Sequence, residues 1–502
     1  MSKKKRILLT GATGVMGWAA LRELLKRTDR FLITILCRPS KVNQRKLAPL
    51  AQNPYLKIVW GDLANYTQVL EAVTDADYVL HVGGVVPPAA DYNPLSTLEV
   101  NVTAAENIVR AVKAQKNGSM VKVVYIGTVA QTSERNAPVH WGRTGDPICI
   151  STHDHYALSK TIAERTIVDG GLSHWVCLRL SGILYPGILK NYDPIIFRVP
   201  LQGVLEWVTV EDSARMLVEV CQESVPDEFW NRFYHVGSGE SFRMSNYEFE
   251  QKLLHAISCP KVEKIFEANW FSLRNFHGLW CSDSDVLDGY LHFREGVSCQ
   301  EYFERLSRQM PWFYRLAKIV PAPIIKYCLM RPLAYRKERG TMDWIRQNNK
   351  ELITVYFGTM VAWQAIGHWG QVDTTPPTKQ VRLLNHGYDE TKPLGKLAIE
   401  DMQQAAAFRG GQCLSQTMKA GDMATKLKWR CHCGHEFRAS AALVLLGGHW
   451  CPECMPAPWD YDSQAQHNPF FAQVWLPTHG TEENHRYESP IYEKWKNKHH
   501  DE

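Results

Sequence analysis

An α/β fold with a doubly wound parallel sheet is predicted for the N-terminal half of this 502-residue chain. Three observations predict it. Short β-branched runs alternate with helical stretches between residues 6 and 180. The runs are apolar on both faces, as strands covered by helices on both sides must be. A glycine-rich turn, TGATGVMG, Thr10 to Gly17, sits between the first run and the first helical stretch.

The elements follow in order. RILLT leads through the turn into WAALRELLKR; then come LITILC, KIVW, YVLHV, a helix near 99 to 114, VKVVYIG, a helix from about 154, and WVCLRL. Length alone predicts more than one folding unit. Residues 1–250 are expected to form the dinucleotide-binding domain with interleaved substrate-binding segments of a smaller α/β region, and 251–385 a substrate cap. A Cys/His module is expected at 395–456 and a polar tail at 457–502. TTPPTK, 374 to 379, reads as a linker.

The totals exclude several classes. Net charge is +5, too mild to argue for nucleic acid. SKKKR leads only into ILLTGA, short of a secretory signal, and no window reaches the apolar length of a spanning helix. Thirteen cysteines, scattered singly before crowding at Cys413, Cys431, Cys433, Cys451 and Cys454, point to reduced thiols and a cytoplasmic location. Aromatics accumulate in 265–335, and residues 311–335 are apolar with interspersed Lys, Arg and prolines. That stretch is expected to cover a substrate cleft; membrane contact is the less favoured reading because prolines break a continuous helix.

In the turn, Gly11 allows a tight reversal, Gly14 a close approach to a pyrophosphate, and Gly17 close packing of the helix. The anion would meet N–H groups at the helix N-terminus. The second strand ends not in a carboxylate but in Cys37 and Arg38, with Lys41 nearby, so NADP is expected rather than NAD, through an Arg38 contact to the 2′-phosphate. Asp62 after the third strand, and Gly83 and Gly84 after the fourth, complete the expected cofactor edge.

Tyr156 and Lys160 stand four residues apart, on one face of a helix, where an ammonium would lower the phenol's pKa. Thr128 places a hydroxyl at the end of its strand. Asn101 begins a helix and is either its cap or a site residue.

In the order TGATGVMG, GDL, DYVLHVGG, NVTAAENIV, YIGT, YALSK, LRLSGILYPG, WVTVEDSARM, YHVGSGESF, these motifs resemble the extended short-chain dehydrogenase/reductase family over about residues 1–250. That Rossmann-fold group includes sugar-nucleotide epimerases, 3β-hydroxysteroid dehydrogenases and dihydroflavonol reductases. The resemblance implies that Tyr156 is the general acid/base, Lys160 its electrostatic partner, Thr128 the hydroxyl that orients substrate, and Asn101 a structural or proton-relay residue. Thr13, Val15, Met16 and Leu63 would join Gly11, Gly14, Gly17, Arg38, Asp62, Gly83, Tyr156 and Lys160 around the cofactor. It also implies hydride transfer at a carbonyl or alcohol carbon of a small molecule, and a homodimer. Val129 and Ala130 follow Thr128 where the dehydratase branch carries Asp-Glu, so dehydration is not expected. The aromatic 265–335 region favours an apolar or cyclic substrate over a nucleotide-sugar. A nucleotide-sugar epimerase, or a non-catalytic NADP(H) sensor, are the alternatives.

Downstream, WRCHCGHEF and HWCPECMP offer five candidates for a four-coordinate metal. The pattern resembles small treble-clef zinc domains, which implies a structural zinc on Cys431, His435, Cys451 and Cys454, with a four-cysteine site using Cys433 as the rival. Its modest basic set makes nucleic acid an unexpected partner.

Overall fold

The structure is a computed structural model and describes residues 4–132, 134–190, 192–455 and 457–500. Seven strands form the central sheet: β1 (Lys5–Thr10), β2 (Phe31–Cys37), β3 (Leu56–Trp60), β4 (Tyr78–His81), β5 (Lys122–Thr128), β6 (His174–Leu180) and β7 (Arg232–Val236). All pair in parallel, in the order β7-β6-β5-β4-β1-β2-β3. The order reverses between β1 and β4, which opens a crevice at their carboxyl ends. The predicted fold class is the one observed.

Helices cover both faces because the strands are apolar on both. On one side α1 (Val15–Leu25) and α5 (Val210–Glu219) pack Leu21, Leu24, Met216 and Leu217 against Ile7, Leu9 and Ile33. On the other, α2 (Tyr66–Val73), α3 (Pro94–Lys113) and α4 (His155–Val168) pack Val69, Val102, Ile108 and Ile167 against Leu8, Val79 and Val123. Pro94 opens α3 at its first turn, where a missing N–H costs nothing. Asp154 caps α4, accepting from the Ala157 N–H at 2.8 Å.

A second lobe gathers residues from 184 to 345 around an aromatic core in which Phe197 contacts Phe266, Trp270 and Phe271 edge-on. It contains α6 (Asn246–Ala256) and α7 (Cys299–Gln309), both opened by serine capping boxes.

The Cys/His region forms an antiparallel sheet of β8 (Gln412–Cys413), β9 (Lys426–Arg430) and β10 (Glu436–Ser440). Leu427, Trp429, Phe437 and Ala439 alternate inward and join the core cluster that covers α3 and α4. The expected polar tail is corrected. Residues 461–467, 469–475 and α8 (Pro490–His500) are helical, and Trp459, Tyr461, Phe470 and Phe471 are buried. Four large side chains of that kind gain too much by leaving water to stay in a solvated tail. The α8 helix lies on α3 through Lys498–Glu99 and His499–Glu106 contacts.

Candidate functional site

The turn from β1 to α1 is built by steric necessity. Gly11 has φ +68°, and a Cβ there would stand 2.8 Å from the Gly83 backbone. A Cβ on Gly17 would stand 2.2 Å from the Gly11 carbonyl oxygen, so the first turn of α1 can close on the loop only with glycine at that place. No side chain caps α1 at Gly14, which leaves its leading N–H groups open to a ligand.

One cavity of about 1350 Å³ runs from this turn across the strand ends into the second lobe. Gly11, Thr13, Gly14, Val15, Met16, Gly17, Arg38, Asp62, Leu63 and Gly83 line its first half, and Thr128 and Tyr156 its middle. Arg38 is exposed at the end of β2, where no carboxylate stands. The Asp62 carboxylate accepts from the Ala64 N–H at 2.9 Å and so holds its own turn.

Lys160 and Asn101 stand behind the wall rather than in it. The Lys160 ammonium lies 4.3 Å from the centre of the Tyr125 ring. Burial pushes it down to about 8, against the pull of Glu164. Tyr156 is pushed up to about 12, again by burial, with the Thr128 hydroxyl offsetting part of the rise. The expected lowering of the phenol is therefore corrected: desolvation of the half-buried phenolate outweighs the help it receives from Thr128. The cap reading of Asn101 is corrected too, since α3 begins at Pro94 and Asn101 lies in its second turn. Its amide accepts from the Val85 N–H at 2.8 Å and donates to the Ser159 hydroxyl at 2.9 Å, tying the loop after β4 to α4.

The far half of the cavity is apolar: Trp207, Phe249, Leu253, Ile265, Phe313 and Val320 are among its walls. Two polar groups there carried no motif. His277 is half-buried, and desolvation pushes it down to about 4, so it is neutral at pH 7. Glu250 is 6% exposed and pushed up to about 7 by burial alone. Among the described lining residues from Ser181 onward there is neither Lys nor Arg.

Behind α4 lies a network that sequence reasoning missed. Glu164 accepts from Arg179 at 2.6 Å and lies 2.8 Å from His449, while Arg179 also donates to the Gly447 carbonyl at 2.7 Å. Burial would raise Glu164, but Arg179 and His449 hold it at about 2. The one available signal was spacing: Glu164 follows Lys160 by a helical turn, and His449 precedes Cys451 by two residues.

Cys431, His435, Cys451 and Cys454 come together with their ligand atoms within 4.8 Å of one another. Cys431 Sγ is 3.6 Å from Cys454 Sγ, and His435 Nδ1 is 3.2 Å from the same sulfur. Ligands at the edges of a zinc tetrahedron stand about this far apart. Cys433 is exposed, its sulfur turned to His432 at 3.1 Å.

Comparison with known proteins adds similarity in the N-terminal part. The UDP-glucose 4-epimerase of Rickettsia bellii is 33% identical over 128 residues, 25% of this chain and 36% of that protein. The inverting UDP-N-acetylglucosamine 4,6-dehydratase of Campylobacter jejuni is 30% identical over 112 residues, 22% of this chain and 33% of that protein. The chain thus spans about a third of the length of these relatives. Among solved structures, the dTDP-glucose 4,6-dehydratase of Streptomyces venezuelae with NAD bound aligns over 61% of this chain and 96% of its own, at 20% identity and a TM-score of 0.48. The glycine turn, Asp62, Thr128 and the Tyr156 helix all lie within residues 7–191, the part of the chain that matches the model of the NAD dependent epimerase/dehydratase family.

Proposed function

We propose that this chain is a nicotinamide-dependent oxidoreductase acting on the carbonyl or alcohol carbon of an apolar substrate. The supporting observation is the cavity that joins the glycine turn, Thr128 and Tyr156 to an apolar far half with no Lys or Arg among its described lining residues. A nucleotide diphosphate in that half would bring two negative charges with no Lys or Arg among the described lining residues to meet them.

The residues fit a dinucleotide: the glycine cradle excludes any Cβ, and the open N-terminus of α1 faces the cavity. Arg38, exposed at the end of β2, a strand that carries no carboxylate at its own end, favours NADP over NAD. When bound, the nicotinamide supplies or accepts the hydride. Tyr156 holds the proton that its phenol, pushed up to about 12, keeps at neutral pH, and gives it to the substrate oxygen in the reductive direction. Thr128 orients that oxygen, and Lys160, poised near 8, supplies positive charge behind the pair.

The relatives' names support a second reading, a nucleotide-sugar epimerase, which would use the same oxidation and re-reduction at one carbon. In either case Cys431, His435, Cys451 and Cys454 would hold a structural zinc, since four protein ligands leave no open position.

The test is a panel of apolar ketones and alcohols beside UDP-glucose, followed by nicotinamide absorbance and, for the sugar, by product isomer. Turnover of an apolar carbonyl, lost in Tyr156→Phe with cofactor binding retained, is the expected result. Epimerised UDP-sugar with no apolar turnover, or full activity in Tyr156→Phe, would overturn the proposal.

A further inference from the structure

The segment from Trp312 to Leu329 departs from the rest of the surface. Trp312 is 73% and Ile319 70% exposed, and Phe313, Leu316, Ile324 and Leu329 are also open to solvent. Large apolar side chains gathered this closely mark an interaction surface rather than the scattered exposure of an ordinary monomer. Two short helical stretches carry them, Trp312–Lys318 and the run from Ala322 to Ala334, joined at Pro321.

Charge accompanies the apolar groups. Between 311 and 339 the chain carries seven Lys or Arg and one Glu, a net +6 in a protein whose total is +5. Arg315, Lys318, Arg331, Arg336 and Lys337 are exposed. Apolar side chains ringed by long cationic ones suit an interface whose interior is hydrocarbon and whose rim is anionic. A protein partner would need a matching acidic rim around an apolar pocket; an anionic bilayer supplies both at once.

The patch is also a wall of the cavity. Phe313, Leu316 and Leu329 are exposed on one side and line the apolar half on the other. No helix among the described residues is long and apolar enough to cross a membrane, so the contact is one of resting on the surface. The prolines that argued against a membrane helix do not argue against this, because two short helical stretches can lie side by side in an interface plane.

We infer that the 312–331 face docks on the surface of an anionic lipid bilayer, seating Trp312 and Ile319 among the headgroups and opening the apolar half of the cavity toward the lipid. This goes beyond the catalytic proposal and stands without it, since binding is measured without turnover.

The experiment is sedimentation of the full chain with phosphatidylcholine vesicles, with and without phosphatidylglycerol, joined by tryptophan emission. Trp312→Ala with Ile319→Ala removes the apolar anchors, and Arg315→Glu with Lys318→Glu reverses the rim; neither pair lies among the cavity-lining residues. Circular dichroism shows whether each variant keeps its fold. The expected result is pelleting with the anionic vesicles, a loss of about tenfold or more in bound fraction in each folded variant, and a blue shift that the Trp312 variant lacks. Wild-type protein that stays in the supernatant with anionic vesicles, folded variants that bind as well as wild type, or a dimer in light scattering that the Trp312 and Ile319 changes dissociate, would overturn the inference.

Discussion

His449 Nε2 stands 2.8 Å from Glu164 Oε1, which joins the Cys/His region to the helix that carries Tyr156. Both side chains are buried, His449 is pushed down to about 4 chiefly by burial, and Glu164 is held at about 2. The imidazole is neutral at pH 7 and donates to an ionised carboxylate, which Arg179 neutralises from the other side. Arg165 reinforces the joint by donating to the Trp450 carbonyl at 2.5 Å.

Removing one partner of that network strands the others. His449→Ala should cost about 2–4 kcal/mol in denaturant unfolding, because Glu164 loses a buried donor. The pH dependence follows from Glu164. Its folded pKa lies below the ordinary carboxylate value, so its stabilisation is present above about pH 4.5 and lost as pH falls toward about 2. His449→Ala should narrow that gap and move the acid unfolding midpoint upward; an unchanged midpoint would contradict the assignment.

Metal removal should act through the same joint. A small sheet whose ligands come from two separate stretches gains much of its folding free energy from a bound ion. Purified protein should hold about one zinc per chain, and Cys451→Ser or chelation should lower the melting temperature and expose the amides of β9, β10 and α4 to hydrogen exchange. Cys433→Ser should leave metal content unchanged, because its sulfur is not among the four gathered atoms. Equal metal loss in the Cys433 variant would restore the four-cysteine alternative.

On the proposed reading, cofactor choice rests on Arg38. Arg38→Ala should raise the Kd for NADPH by about 10- to 100-fold, the value of a charge-assisted phosphate contact, and leave that for NADH nearly unchanged. Isothermal titration distinguishes the two. A parallel loss for both cofactors would mean that Arg38 shapes the β2 end without touching a 2′-phosphate.

Most of the sheet was legible because strands buried on both faces leave an apolar run with no alternative reading, as in LITILC and VKVVYIG. The glycine turn was legible in part for a similar reason: Gly17 is dictated by the backbone of Gly11 and Ala12 just before it, whereas the closest contact that shapes Gly11 itself is with Gly83, distant in sequence. What was hidden depends on contacts distant in sequence. Glu164 meets His449 across 285 positions, and no local pattern carries that distance. The raised phenol of Tyr156 was missed for another reason, since spacing on a helix reports direction and not depth. Asn101 looked like a cap because the helix was expected to begin near 99, whereas Pro94 starts it earlier.

Glu250 offers a test that needs no substrate. It lines the apolar half of the cavity, and burial alone pushes it up to about 7. A raised folded pKa means that the native state holds its proton while the unfolded chain has released it. The stability contribution is therefore full below about pH 4.5 and is lost as pH rises through about 7. The gap corresponds to roughly 3 kcal/mol at pH 8. Glu250→Gln, which keeps the shape and cannot ionise, should be more stable than wild type at pH 8 and nearly equal to it at pH 5. Guanidinium unfolding at the two pH values measures the difference. A ligand that binds the cavity and offers a hydroxyl or amine to Glu250 should shrink the pH 8 advantage, because the carboxylate then has a partner. An advantage that is the same at both pH values would show that folding does not raise the carboxyl's pKa, and that the apolar half of the cavity meets its substrate with an ionised acid.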